Sequence, residues 1–129
     1  MGDSGGYRKA LGRKGEETAV GFLRSKGYKI LTRNFQIREG EIDFIAEHEN
    51  TLVFVEVKTS RSDSFGHPAD RVDETKQQRM IQAASAYLQK HEMDDRDCRF
   101  DVIAIQIEKG RQTVEHIQDA FQIEQDDAE

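Results

Sequence analysis

Four residues in the first half of the chain are of types that do chemistry together. Glu41 and Asp43 stand in Gly40-Glu41-Ile42-Asp43, and Glu56 and Lys58 close the run Leu52-Val53-Phe54-Val55-Glu56-Val57-Lys58. That run is nearly all apolar and β-branched, the pattern of a buried central strand. Glu56 and Lys58 are two residues apart and so share one face of it. A buried charge is costly unless it is paired or holds an ion. Two carboxylates and a lysine in this pattern suit hydrolysis of a phosphodiester at a divalent cation.

These residues need elements to position them. Met1 to Gly6 is Gly/Ser-rich and is expected to be disordered. Leu11, Ala19, Val20, Phe22 and Leu23 recur at helical spacing, which predicts a helix from Tyr7 to Lys26 with Gly27 as its C-cap. Val20 and Leu23 mark its buried stripe. Glu16 lies on that stripe, four residues before Val20, whereas Glu17 belongs to the solvated side. Tyr28–Arg38, Glu41–Glu47 and Leu52–Thr59 read as three strands. Ser60–Asp70 is a polar loop with the only proline. Asp73 is the predicted N-cap of a helix to Lys90, with Met80, Ile81, Ala84, Tyr87 and Leu88 as its apolar stripe. Arg99–Ile107 and a short Val114–Ile117 complete the strands. The order is α-β-β-β-α-β-β in a single domain over residues 7–123, with 124–129 a mobile acidic tail.

A hairpin of the second and third strands, closed by a four-residue loop at 48–51, places Asp43 across from Glu56 and Glu41 across from Lys58. In that arrangement Glu41, Asp43 and Ile45 point one way. Cross-strand Cβ atoms are then about 4.5–5.5 Å apart, and like charges at that separation repel. A divalent cation between Asp43 and Glu56 removes the conflict, and hard oxygen ligands suit Mg²⁺ or Mn²⁺. A salt-bridged surface, with Lys58 neutralising Glu41 or Glu56 and no ion, is the other arrangement open to the same residues. A different loop register separates the two acids.

Gly12-x-x-Gly15-Glu16, Gly27-Tyr28, Asn34, Gly40-Glu41-Ile42-Asp43, Val53-Phe54-Val55-Glu56-Val57-Lys58-Thr59, Phe65-Gly66, Lys76 and Arg99-Phe100-Asp101-Val102 occur in this order. Together they resemble the YraN-like family of small bacterial proteins, related in fold to archaeal Holliday-junction resolvases, from about Leu11 to Phe121. The resemblance implies a restriction-endonuclease-like core, a mixed central sheet flanked by helices. It implies Asp43 and Glu56 as metal ligands for Mg²⁺ or Mn²⁺, with the Val57 carbonyl a third. Lys58 then orients or activates the attacking water, and Glu16 completes the metal shell from the helix. Glu41 supports Lys58 or is structural. The resemblance further implies a DNA endonuclease acting on branched or structured substrates, and a homodimer if the substrate is a two-fold junction. Two departures stand out. Ile42 replaces the Pro that many superfamily members carry before the Asp, and Arg61 falls one residue later than the Arg expected after Thr59.

For nucleic-acid contact the candidates are Arg61, Lys76, Arg13 and Lys14, with Arg8, Lys9 and the Phe65-Gly66-His67 loop beside them. The net charge of −6 runs against a nucleic-acid partner. Residues 1–40, however, hold nine Lys/Arg against four acids, and a local basic face attracts phosphate whatever the total. His48, His91 and His116 lack ligand spacing and receive no role. Cys98 is the only cysteine, which excludes an internal disulfide and a Cys-cluster zinc site. No apolar run is long enough for a membrane span and no leader pattern is seen, so a cytoplasmic protein is expected. Two alternatives to an enzyme remain: a non-catalytic nucleic-acid- or protein-binding module on the same fold, and a metal-free domain in which Asp43 and Glu56 pair with Lys58 or Arg61.

Overall fold

The structure, a computed structural model, describes residues 3–61 and 72–122, with side chains from residue 12 onward. Helix α1 spans Asp3–Ser25. It starts four residues before the expected Tyr7, at Asp3 and Ser4, residue types that favour a helix start. Its Ala19, Val20 and Leu23 are buried. The helix ends in a Schellman turn. Gly27 takes φ +88°, its N–H reaches the Arg24 carbonyl, and the Tyr28 N–H reaches that of Leu23.

Strands β1 (Lys29–Ile37), β2 (Gly40–His48) and β3 (Thr51–Arg61) follow, then helix α2 (Glu74–Lys90), β4 (Cys98–Glu108) and β5 (Arg111–Phe121). The order α-β-β-β-α-β-β is the expected one, and the arrangement is consistent with a restriction-endonuclease-like core. The strands lie side by side in chain order. All neighbours are antiparallel except β3 and β4, whose parallel pairing is why a crossover through α2 separates them. Asp73 caps α2 as its sequence indicates, its side chain accepting from the Lys76 N–H at 2.9 Å. The Phe65-Gly66-His67 loop, Pro68 and the 124–129 tail lie outside the described residues, as do the Arg8 and Lys9 side chains.

The two helices cover opposite faces. Ala19, Val20 and Leu23 of α1 pack on Phe44, Ala46, Val53, Val55, Ile103 and Ile105. Met80, Ala83, Ala84 and Tyr87 of α2 pack on Ile42, Ile45, Leu52, Phe54 and Phe100. Alternation along β3 therefore sends Val53 and Val55 to α1, and Leu52, Phe54 and Glu56 to the α2 side. In β2 the alternation breaks, because Ile42 and Phe44 pack on opposite faces although two residues apart. Asn34, between Arg33 (paired with Phe44) and Phe35 (paired with Ile42), takes φ +55°, so both strands turn over at the Asn34–Asp43 position. Strict alternation of Glu41, Asp43 and Ile45 on one face is corrected accordingly.

Two hairpins differ from expectation in instructive ways. The β2–β3 turn is two residues, Glu49 and Asn50, both at positive φ, as a tight primed turn requires. It preserves the expected register from His48–Thr51 to Phe44–Val55. Strand β5 is eleven residues rather than four. Most of its flanking residues are polar and exposed along an edge, although Phe121 packs on the core, so hydrophobic patterning shows only its middle.

Among the described residues, one charged side chain is buried whole. Asp101 lies at the β4–β5 register shift with no exposure. It accepts from Arg99 Nε at 2.8 Å and from the Asp119 N–H at 3.0 Å, and meets His116 Nε2 at 2.7 Å. Burial alone would raise its carboxyl. The bonds from His116, Arg99 and the Asp119 amide outweigh burial and hold it below the usual carboxylate range. His116, given no role from sequence, is thus a structural partner.

Candidate metal centre

The β2–β3 ladder opens one residue beyond Phe44–Val55, and the candidate site forms in the opening. Asp43 does not stand across from Glu56 as a paired ladder residue. Its Oδ2 instead accepts the Val57 N–H at 2.8 Å, replacing a partner that a continued strand would supply. Glu41 is likewise carried away from Lys58, and its carboxylate lies 3.9 Å from Arg79 of α2, in an exposed pair worth little. Beyond this point Gly40 meets α2 so closely that a Cβ there would strike the Arg79 carbonyl. The start of β2 is pressed onto α2, and this leaves the cleft open on the β3 side.

The cleft, about 370 Å³, is lined by Gly12 and Glu16 of α1, Asp43 of β2, Glu56, Val57, Lys58 and Thr59 of β3, and Lys76 of α2. Gly15 seats α1 against β3, since a Cβ at that position would run into the Thr59 side chain. That close approach brings Glu16 to the same cleft. A second cavity, about 420 Å³ and lined by Cys98, Arg99, Phe100 and Phe121 among others, contains none of these carboxylates or lysines. Cys98 there is half-buried and donates to the Arg96 carbonyl, with burial pushing its thiol pKa up, an inert arrangement.

Glu56 is the most constrained charge in the cleft. Its side chain is 4% exposed. Lys76 Nζ lies 2.9 Å and Lys58 Nζ 3.4 Å from the same oxygen, Oε2. Oε1 is buried and has no hydrogen-bond partner among the described residues. Burial, and then repulsion from Glu56, pushes the Asp43 carboxyl up to about 7, with Glu16 adding to the repulsion. The Val57 N–H and the Lys76 charge oppose that rise. Lys76 is itself held protonated: the Glu56 hydrogen bond and the attraction of Glu56, Asp43 and Glu41 outweigh its desolvation.

Most of the sequence-derived site residues meet here. Asp43, Glu56, Val57, Lys58 and Glu16 line one cleft, and Lys76 joins them. Sequence reasoning placed Lys76 among phosphate contacts; its pairing with Glu56 was not foreseen. Its position in the first turn after the Asp73 cap, one turn before buried Met80, is the signal that points it at the sheet. Arg13 and Lys14 are exposed and are not among the described cleft-lining residues. Arg61 is exposed at the end of β3, paired in register with Ile107.

The donor set fits a hard divalent cation in chemistry. Two carboxylates close enough to repel, one with an orphaned buried oxygen, are what a cation would satisfy. Among the described residues, no three His, Cys, Asp or Glu side chains are gathered as a ready ligand cluster. The fit therefore rests on Asp43 and Glu56, with main-chain oxygen and water to complete the shell. No helix among the described residues is long and apolar enough to cross a membrane.

Residues 15–105 match the profile of "Uncharacterised protein family UPF0102". A UPF0102 protein of Chlorobium phaeobacteroides (strain BS1) is 51% identical over 117 residues, covering 86% of this chain and 93% of that protein. One from Syntrophotalea carbinolica is 44% identical, covering 91% and 95%, and one from Prosthecochloris aestuarii is 48% identical, covering 86% and 92%. The matches take in the cleft residues from Glu16 to Lys76, and the chain belongs to the UPF0102 family, the YraN-like group that its motifs resemble.

Proposed function

We propose that the protein is a Mg²⁺- or Mn²⁺-dependent endonuclease that hydrolyses phosphodiester bonds of DNA. The observation that carries the reading is Glu56 Oε1, buried without a partner among the described residues, beside a second carboxylate whose charge it opposes. Asp43 and Glu56 would hold the cation, with Glu16 lining the same cleft. When bound, the cation supplies positive charge to a phosphate oxygen and makes water a better nucleophile at neutral pH. Lys58, on the same face as Glu56 and a quarter exposed, is placed to donate to the phosphate or to the attacking water. Water adds across one P–O bond, giving a phosphate monoester and an alcohol. Branched or structured DNA as substrate, and a homodimer to meet it, rest on the likeness to resolvases; a cytoplasmic location accords with that substrate.

The test is cleavage of a labelled panel of four-way junction, flap, duplex and single strand, with Mn²⁺ and with Mg²⁺. Cutting by wild type that Glu56→Gln and Lys58→Met lose supports the reading and identifies the substrate shape. Absence of cutting on every substrate, or cutting that survives in both variants, overturns it.

A second reading draws on the two ammonium groups at Glu56 Oε2. They already neutralise the carboxylate, as a metal-free, non-catalytic binding module would need. Unchanged DNA affinity in Glu56→Ala would favour that module.

A further inference from the structure

Lys76 and Lys58 contact Glu56 from different elements. Lys58 stands on β3, whose pairing with β4 runs through this position. Lys76 reaches in from the first turn of α2, on a four-carbon stem, and is about a third exposed. Both ammonium groups lie on Oε2, and Lys76 is nearer, at 2.9 Å against 3.4 Å. Its charge also acts on Asp43 and Glu41. Lys76 thus contacts Glu56 directly and acts on Asp43 at longer range.

We propose that Lys76 is a tethered counter-ion of the site, which an entering divalent cation must displace from Glu56. This rests on the metal-dependent reading above. The entering ion meets Oε1, unpartnered among the described residues, but a monovalent charge on the other oxygen of the same carboxylate repels it. Lysine side chains are flexible, and Lys76, the nearer and the more exposed of the two, relieves the repulsion by swinging toward solvent. Once displaced, its ammonium stands at the mouth of the cleft, where a substrate phosphate would lie. Metal loading and the Lys76–Glu56 contact oppose each other, and by linkage each weakens the other equally.

Lys76 is a positioning residue in this scheme, and metal affinity distinguishes it from a merely structural one. The experiment is Mn²⁺ titration calorimetry on the full chain at fixed ionic strength, for wild type, Lys76→Met, Lys76→Gln and Glu56→Gln. Removal of the competing charge is expected to tighten Mn²⁺ binding about three- to ten-fold in either Lys76 variant, while Glu56→Gln loses it. Circular dichroism confirms that each variant is folded, and the polar Lys76→Gln covers the case in which Met disturbs the helix. Equal or weaker Mn²⁺ affinity in both Lys76 variants, with wild type still binding, overturns the displacement and leaves the metal centre standing. Absence of Mn²⁺ binding in wild type and Lys76 variants alike removes the metal centre, and the displacement with it.

Discussion

The Val57 amide donates to Asp43 Oδ2 at 2.8 Å, so a side chain of β2 serves where a strand carbonyl would in a continued ladder. The substitution ends the β2–β3 pairing at Phe44–Val55 and opens a cleft beside Glu56. It also fixes one Asp43 oxygen while burial and Glu56 act on the group's charge. The first prediction follows from that charge.

Asp43 is raised to about 7 from an ordinary value of 3.8. Between these two values the folded protein holds a proton that the unfolded chain has lost. Metal-free stability therefore falls as pH rises from about 4 to about 7, and levels off above. Asp43→Asn keeps an acceptor for the Val57 N–H and removes the charge. Without metal, it is expected to flatten this profile and raise the unfolding midpoint at pH 8 by roughly 5 °C. Thermal unfolding in chelator across pH 4–8 measures it; a variant with the wild-type slope contradicts the assignment.

Asp101 carries the opposite sign. Its carboxyl is held low, so its contribution is present above the unfolded value and is lost as pH falls through the folded one. Asp101→Ala strands Arg99 and His116 and should cost about 3–5 kcal/mol at pH 7. His116→Phe keeps the Arg99 pair and should cost less, about 1–3 kcal/mol. Urea denaturation of the two variants gives the order, and equal costs would contradict this division.

Gly40→Ala tests how the site is held open. The added methyl would strike the Arg79 backbone carbonyl, which no side-chain rotation can clear. The expected destabilisation is about 1–3 kcal/mol or more in chemical denaturation. Gly15→Ala meets a side chain instead, so Thr59→Ala in the same chain should recover much of its cost. No such rescue is available at Gly40, and equal tolerance of the two alanines would contradict the close approach of α2.

Much of this architecture was legible in the residues themselves. The apolar run from Leu52 to Val57 could only be a central strand, and the Asp73 cap dated the start of α2 correctly. Local signals brought Asp43, Glu56 and Lys58 together, and the resemblance to the YraN-like family added Glu16. What escaped was non-local or unpatterned. The reversal of faces at Asn34–Asp43 depends on a left-handed residue in one strand opposite a carboxylate in the next. Strand β5 hides its length behind flanks that are mostly polar and exposed. Lys76 finds Glu56 only after a crossover brings α2 back over the sheet, a contact between positions twenty residues apart in sequence. Periodicity within one element carries no record of such a meeting.

The most direct test of the shared cation site is the unfolding midpoint as Mn²⁺ is added to wild type, Asp43→Ala and Glu56→Ala. If Asp43 and Glu56 hold one cation together, wild type gains about 2.7 kcal/mol at a hundred times Kd, a rise of roughly 10 °C, and each alanine abolishes it. A wild-type midpoint indifferent to Mn²⁺, or a rise that survives in both alanine variants, would contradict the metal centre.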